Sequence, residues 1–383
     1  MPLPDANWNF PTRIRFGSGR IAELSKACRS LGIERPLLVT DPGLAEMPMV
    51  KSALASLPTG AIFSEIHSNP VGADVEAGVA AYRGGGHDGV VAFGGGSALD
   101  VGKVVAFMSG QSRPLWDFED SGDWWTRADP AGIAPIVAVP TTAGTGSEVG
   151  RAGVILDEAT ETKKIIFHPK MLPGIVIADP ELTVGLPPHI TAATGMDALA
   201  HCLEAYCAPG FHPMADGIAA EGMKLIHDWL PRAVSDGSDL DARGNMLVAA
   251  SMGATAFQKG LGGMHALSHP IGALHGSHHG LTNAVLMPYV LSFNRSAIEE
   301  RIVRLAGYLG FECRFESFLD WIVELRRSFG IPHSLQELGV PSNRADQIAR
   351  MAEVDPSAGG NPLPFDAAAA RTVFDAAMEG RVG

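Results

Sequence analysis

Between Arg35 and Asp179 one device repeats: a short run rich in valine and isoleucine stops at a glycine or proline turn. PLLV leads into TDPG, VVAF into GGGS, IVAVP into TTAGTGSEV, and IVIA into DPEL, with helix-type sequence following several of them. Unbroken apolar runs of this length are strands buried on both faces, and helical connections make such strands parallel. The expected architecture is an α/β domain whose parallel sheet is covered on both sides. After DPELTVGLPP the β-branched runs cease. ITAATGMDALAHCLEAY, GIAAEGMKLIHDWL and RGNMLVAASMGATAFQKG instead carry alanine, leucine and methionine at helical spacing. A chain of 383 residues is too long for one ordinary core. The expected division is an α/β domain over 1–181 and an all-α domain over 182–383.

Two of the strand ends carry loops suited to an anion. Gly94, Gly95 and Gly96 follow VVAF directly and precede Ser97, where a helix should begin. Glycines let backbone approach a ligand closely, and a helix N-terminus offers free N–H groups. Ser97 with Asp100 three residues on is similar to a capping box. GGGS is not the GxGxxG fingerprint, and alone it reads equally well as a plain tight turn. The second loop, Pro140 to Glu148, leaves another strand end with Thr141, Thr142, Thr145 and Ser147 among its residues. Strand C-termini are where open α/β sheets bind ligands, so the two loops together point to a nucleotide. Asp41, at the end of PLLVT, is either an Asp-Pro turn or an acceptor for ribose hydroxyls. In the second case it favours NAD over NADP.

The helical half holds the most concentrated chemistry. His265, His269, His275, His278 and His279 fall within fifteen residues, and Asp197 and His201 sit four apart in MDALAHCLEAY. Residues at i and i+4 project from one helix face. A lone pair of this kind is usually a surface hydrogen bond; beside a histidine cluster it becomes part of a ligand set. His269 repeats the spacing from His265, but Pro270 should kink or end that helix. His279, before Gly280, is expected in a loop or turn. One carboxylate with three neutral imidazoles leaves a divalent ion about one net positive charge, enough to stabilise an alkoxide or polarise a carbonyl. A closed structural zinc site typically uses thiolates. Cys28, Cys202, Cys207 and Cys313 form no CxxC pair and read as reduced thiols.

Composition narrows the class further. A net charge of −13 argues against nucleic acid, and no apolar run reaches the ~18 residues that span a bilayer. MPLPDANWNF has neither a basic n-region nor an apolar h-region. A cytoplasmic enzyme acting on a small molecule is the expectation.

Taken together, VTDPG, SNPVGADVEAG, GGGSALDVGK, PTTAGTGSEV, LPGIVIADPELT, TAATGMDALAHCLEAY and HALSHPIGALHGSHHG resemble the iron-containing (group III) alcohol dehydrogenase family in order and spacing. The resemblance implies an N-terminal dinucleotide-binding domain, a helical C-terminal domain, and an active site in the cleft between them. It implies metal ligands at Asp197, His201, His265 and His279, holding Fe2+ or Zn2+. His269 falls near the nicotinamide and substrate, with His275 in proton relay or ligand orientation. His278 stands where the family often has proline and is not expected to be a ligand. NAD would be held by Asp41, Asn69, Gly95, Gly96, Ser97, Asp100, Thr141, Thr142, Thr145, Ser147, Leu182 and Lys163, the last preferred to Lys164 by spacing from Pro169. The implied reaction is hydride transfer between NAD(H) and a small alcohol or aldehyde, in a homodimer or larger homo-oligomer. A zinc-dependent glycerol dehydrogenase-like or dehydroquinate synthase-like enzyme, or a non-catalytic sensor on the same scaffold, are the alternatives.

Overall fold

The computed structural model describes residues 12–57 and 59–382. The N-terminal stretch read above for a targeting signal lies outside them. The chain forms two compact units, one ending at Gly185 and the other beginning at Leu186.

The first unit contains strands β1 Arg13–Phe16, β2 Pro36–Val39, β3 Ala61–Phe63, β4 Gly89–Gly94, β5 Ile136–Pro140, β6 Ala152–Asp157, β7 Thr162–Phe167 and β8 Ile175–Ala178. Its helices are α1 Leu24–Ser30, α2 Pro42–Ala45, α3 Pro48–Ala55, α4 Gly72–Gly84 and α5 Gly96–Met108. Six strands make one sheet in the order β1-β8-β5-β4-β2-β3, every pair parallel. Strands β2, β4, β5 and β8 are buried at every position, which is why their sequences show no alternation. Val91, Phe93, Val139 and Ile177 pack one face against Leu24 and Cys28 of α1 and Val50 of α3. Each such side chain contributes roughly 1.5–3 kcal/mol on burial. On the other face α5 lies directly on β4: a Cβ on Gly102 would stand 2.6 Å from the Ala92 Cβ.

The strand order reverses between β2 and β4. The chain runs from β2 outward to β3, then returns to the far side of β2 as β4 and continues to β5 and β8. Asp41 and Gly94 thus leave neighbouring strands on either side of the reversal, the place where open α/β sheets take ligands. The antiparallel hairpin β6–β7 stands outside this sheet. The strand pattern read above did not include it.

The second unit is helical: α6 Pro188–Cys207, α7 Pro213–Ser235, α8 Leu240–Ala256, α9 Gly263–His275, α10 His279–Leu309, α11 Phe315–Ser328, α12 Ala345–Glu353 and α13 Ala367–Glu379. Helix α6 is buried at nearly every residue from Thr191 to Cys207 and packs against α7, α8 and α10. A helix apolar all round belongs at the centre of its unit. Glycines make the approach close: a Cβ on Gly195 would sit 2.2 Å from Leu230, and one on Gly222 2.7 Å from the Cys202 sulfur.

Two local expectations change. Helix α9 does not end at Pro270 but continues to His275. Pro270 is buried, and packing on both sides outweighs the one backbone bond that proline removes. His279 is not in a loop; it is the first residue of α10. His278 caps that helix, its imidazole accepting from the Leu281 N–H at 3.4 Å.

Among the described residues no helix is long and apolar enough to cross a membrane. The four cysteines are free, and only Cys313 is exposed. Burial pushes the Cys28 and Cys207 thiols up to about 12. Ellman's reagent is therefore expected to titrate one thiol per native chain rapidly and four after denaturation. Rapid reaction of two or more in the native protein would contradict this packing.

Candidate metal centre and nucleotide loops

In the helical unit Asp197 and His201 on α6, His265 on α9 and His279 on α10 converge. One ligand atom from each lies within 4.8 Å of all the others. Asp197, His201 and His265 are 2–4% exposed. The His201 and His265 rings stack with centroids 4.7 Å apart, and His265 and His279 are 5.2 Å apart. The Phe257 ring centroid lies 5.2 Å from that of His201.

The imidazoles are aimed by partners that sequence pattern did not reveal. Glu204, one turn beyond His201, accepts from His265 Nδ1 at 2.6 Å and from the Met264 N–H at 2.7 Å. Asn361 accepts from the Gly263 N–H at 3.1 Å. The N-terminus of α9, which has no side-chain cap of its own, is thus satisfied by distant residues. With Nδ1 engaged by Glu204, Nε2 of His265 keeps its lone pair for a cation. Burial opposes charge on His265, but the Glu204 carboxylate outweighs it and shifts the imidazole upward. Ser268 Oγ lies 3.4 Å from His279 Nδ1, on the outer side of that ring.

At the centre is Asn283, fully buried on α10. Its Nδ2 donates to Asp197 Oδ1 at 2.9 Å and lies 3.2 Å from His265 Nε2 and 3.1 Å from His279 Nε2. One amide with two hydrogens therefore faces three acceptors, while its own Oδ1 is buried without a partner. Such an excess of inward lone pairs fits a cation. One carboxylate and three imidazoles suit iron(II) or zinc, and no thiolate neutralises the charge.

Glu204→Gln is expected to weaken metal binding by about 10–100-fold while leaving the helical fold intact. Competition with a chromophoric chelator measures it. An unchanged dissociation constant would mean that Glu204 only caps α9.

His269 is not one of the four, but its ring stacks on His279 at 5.5 Å and lies 5.8 Å from His265. His275 ends α9, and its Nε2 is buried without a hydrogen-bond partner. Burial, then the Arg344 guanidinium, push His275 below its ordinary value, so it is neutral at pH 7.

In the α/β unit the two glycine loops abut. Thr141 N–H donates to the Gly94 carbonyl at 2.9 Å. Cβ atoms on Gly95 and Gly96 would stand 3.3 Å from Thr142 Cγ2 and 2.7 Å from Thr145 Cγ2. Residues 97 and 100 do not form the expected capping box. Gly95 is the N-cap, with no side chain to occupy the first N–H groups of α5, and this leaves them for an anion. Ser97 Oγ instead donates to the Ser68 carbonyl at 2.6 Å, and Asn69 is the next residue in the chain. The Asp100 carboxylate accepts from Ser147 Oγ and from the Val154 N–H at 3.0 Å. It also pairs with Lys103 at 3.3 Å, whose ammonium donates to the Ser147 carbonyl at 3.0 Å. Asp100 and the buried Lys103 thus brace the second loop. Asp41 caps α2 through Oδ1, which accepts from the Leu44 N–H at 3.0 Å, and its Oδ2 faces Gly94. Lys164 is engaged with Asp157 at 2.9 Å and Glu119 at 3.6 Å; Lys163, next in the strand, takes the opposite face of the hairpin. Leu182 is buried in the core beside α1 and α3.

Residues 11–180 match the model of the iron-containing alcohol dehydrogenase family, and residues 191–378 match the family's C-terminal model. The chain belongs to the iron-containing alcohol dehydrogenases. Within this family it is 40% identical over 380 residues to 4-hydroxybutyrate dehydrogenase of Cupriavidus necator, covering 96% of this chain and 98% of that one. A 1,3-propanediol oxidoreductase structure superposes with a TM-score of 0.92 at 35% identity, over 97% of this chain and 99% of that one. Sulfoacetaldehyde reductase from Bifidobacterium kashiwanohense in complex with NAD+ superposes with a TM-score of 0.88 at 29% identity, covering 97% and 99%. Like the other members of this family, the dehydrogenase is an NAD-dependent oxidoreductase.

Proposed function

We propose that this protein transfers a hydride reversibly between NAD(H) and a small primary alcohol or its aldehyde. The observation that carries the reading is the convergence of Asp197, His201, His265 and His279 around an amide that lacks hydrogens for all its acceptors. These four residues would hold iron(II) or zinc; when bound, the ion supplies Lewis acidity toward the substrate oxygen. Gly95 and Gly96 would offer backbone N–H groups to the cofactor pyrophosphate, with Thr141, Thr142, Thr145 and Ser147 lining the same anion site. The Asp41 Oδ2 would accept from a ribose hydroxyl and repel a 2′-phosphate, which selects NAD over NADP. Alcohol oxidation releases one hydride to nicotinamide C4 and one proton. His269 would accept that proton, and the neutral imidazole of His275 would pass it on. A cytoplasmic homodimer or larger homo-oligomer belongs to the same reading.

The 40% relative directs the first substrates: 4-hydroxybutyrate and its aldehyde, followed by 1,3-propanediol. The test follows NADH at 340 nm after anaerobic reconstitution with iron(II) or zinc. Turnover with one metal and none after chelation is expected. Bound NADH and metal without turnover across the panel would transfer the assignment to a non-redox relative of the same fold.

A further inference from the structure

Asp355 follows α12 and opens the turn Pro356–Gly360, which packs on α9. It stands 86 residues from His269 in sequence, yet its Oδ2 lies 2.8 Å from His269 Nδ1. Its Oδ1 accepts from the Ser357 N–H at 2.8 Å. Both carboxylate oxygens are therefore engaged, and the side chains of His269 and Asp355 are only 12% and 8% exposed. The ring they fix is the one stacked on His279, with the planes inclined by 12°.

A carboxylate accepts and cannot donate, so it selects one imidazole tautomer. Nδ1 carries the hydrogen, and Nε2 is left as the acceptor. The same relation orients the histidine of hydrolytic triads, where loss of the carboxylate leaves the wrong tautomer. The Ser357 N–H holds Asp355 from behind, so the carboxylate cannot swing with the ring. We propose that Asp355 is a positioning residue for the dehydrogenase reaction, fixing the tautomer and orientation of His269. The assignment rests on the proposed role of His269 in accepting the hydroxyl proton. Asp355 itself is not among the four residues that converge on the metal site.

A purely structural alternative exists, because Asp355 also caps the turn that ties the C-terminal segment to α9. The experiment separates the two. Full-length zinc-loaded enzyme carrying 15N-histidine gives the ring-nitrogen shifts of His269, assigned by their loss in His269→Ala. The wild type is expected to show Nδ1 protonated and Nε2 bare; the reverse tautomer overturns the proposal without any variant of Asp355. Asp355→Asn retains an oxygen for the Ser357 N–H but lacks the charge. It is expected to lower kcat by about 10–100-fold, the range seen when an outer partner of a site histidine is removed. KM for NAD and metal stoichiometry should be unchanged.

Asp355→Glu should recover most of the lost kcat, and a glutamate variant as slow as the asparagine variant counts against the proposal. In the His269→Ala background, Asp355→Asn should cost nothing further; an equal loss there marks a structural role and overturns it. If His269→Ala alone keeps full turnover, the underlying reading of His269 fails, a result distinct from failure at Asp355. Should Asp355→Asn not fold, the wild-type tautomer and the glutamate variant still decide.

Discussion

His265→Ala is expected to leave a folded protein that no longer retains metal and turns over at least about a thousandfold more slowly, beyond the 10–100-fold lost with an outer partner. His265 stacks on His201, faces His279, and its outer nitrogen meets the buried Glu204 carboxylate at 2.6 Å. Removing it strands Glu204 with a single backbone donor in a buried site, at a cost of about 1–3 kcal/mol. Metal analysis after anaerobic loading, alongside NADH oxidation, measures both effects. His269→Ala is the control: metal stoichiometry stays near one while turnover falls. Retention of metal and full activity by both variants would refute the site assignment.

Gly280→Ala should damage the same centre from the backbone. Gly280 lies where α10 crosses α6, one residue after His279. A Cβ there would stand 2.4 Å from the Ala193 carbonyl oxygen, 3.0 Å from its carbon and 3.2 Å from Asp197 Cβ. Two of these atoms are backbone and cannot rotate away, so the helices must separate and carry His279 away from Asp197. Overpacking of this kind costs about 1–3 kcal/mol, which for a unit of this size lowers the melting temperature by roughly 2–12 °C. Metal affinity should fall at least about tenfold, since both a ligand and its neighbour shift. Differential scanning calorimetry with metal titration checks it; a wild-type melting point and affinity would show that the crossing has slack.

The sheet was legible because strands buried on both faces leave unbroken runs such as VVAF and IVIA. The β6–β7 hairpin was not: TKKIIF is half-exposed with two lysines, and its pairing partner lies across a turn with Glu161 in the left-handed region. Histidine density exposed the metal region, and carboxylate–imidazole spacing on MDALAH marked its helix. Glu204, Asn283 and Asp355 carry no local pattern, since what distinguishes them is contact across 61, 86 and 86 residues. Glu204 alone left a trace, an acid one turn beyond His201. The capping box at Ser97 failed for a related reason: its two side chains were drawn off by Ser68 and Ser147, leaving the cap to glycine.

The distant satisfaction of the start of α9, by Glu204 from α6 and Asn361 from near the C-terminus, bears on the order of assembly. Small zinc modules acquire their shape from the ion because their ligands are local. Here the helix presenting His265 has no terminus of its own until segments 60 and 98 residues away have docked. Contacts of such separation form late in folding. A site held by such contacts is expected to form without the ion as template, so stripped protein should keep its helical circular dichroism while waiting to be reloaded.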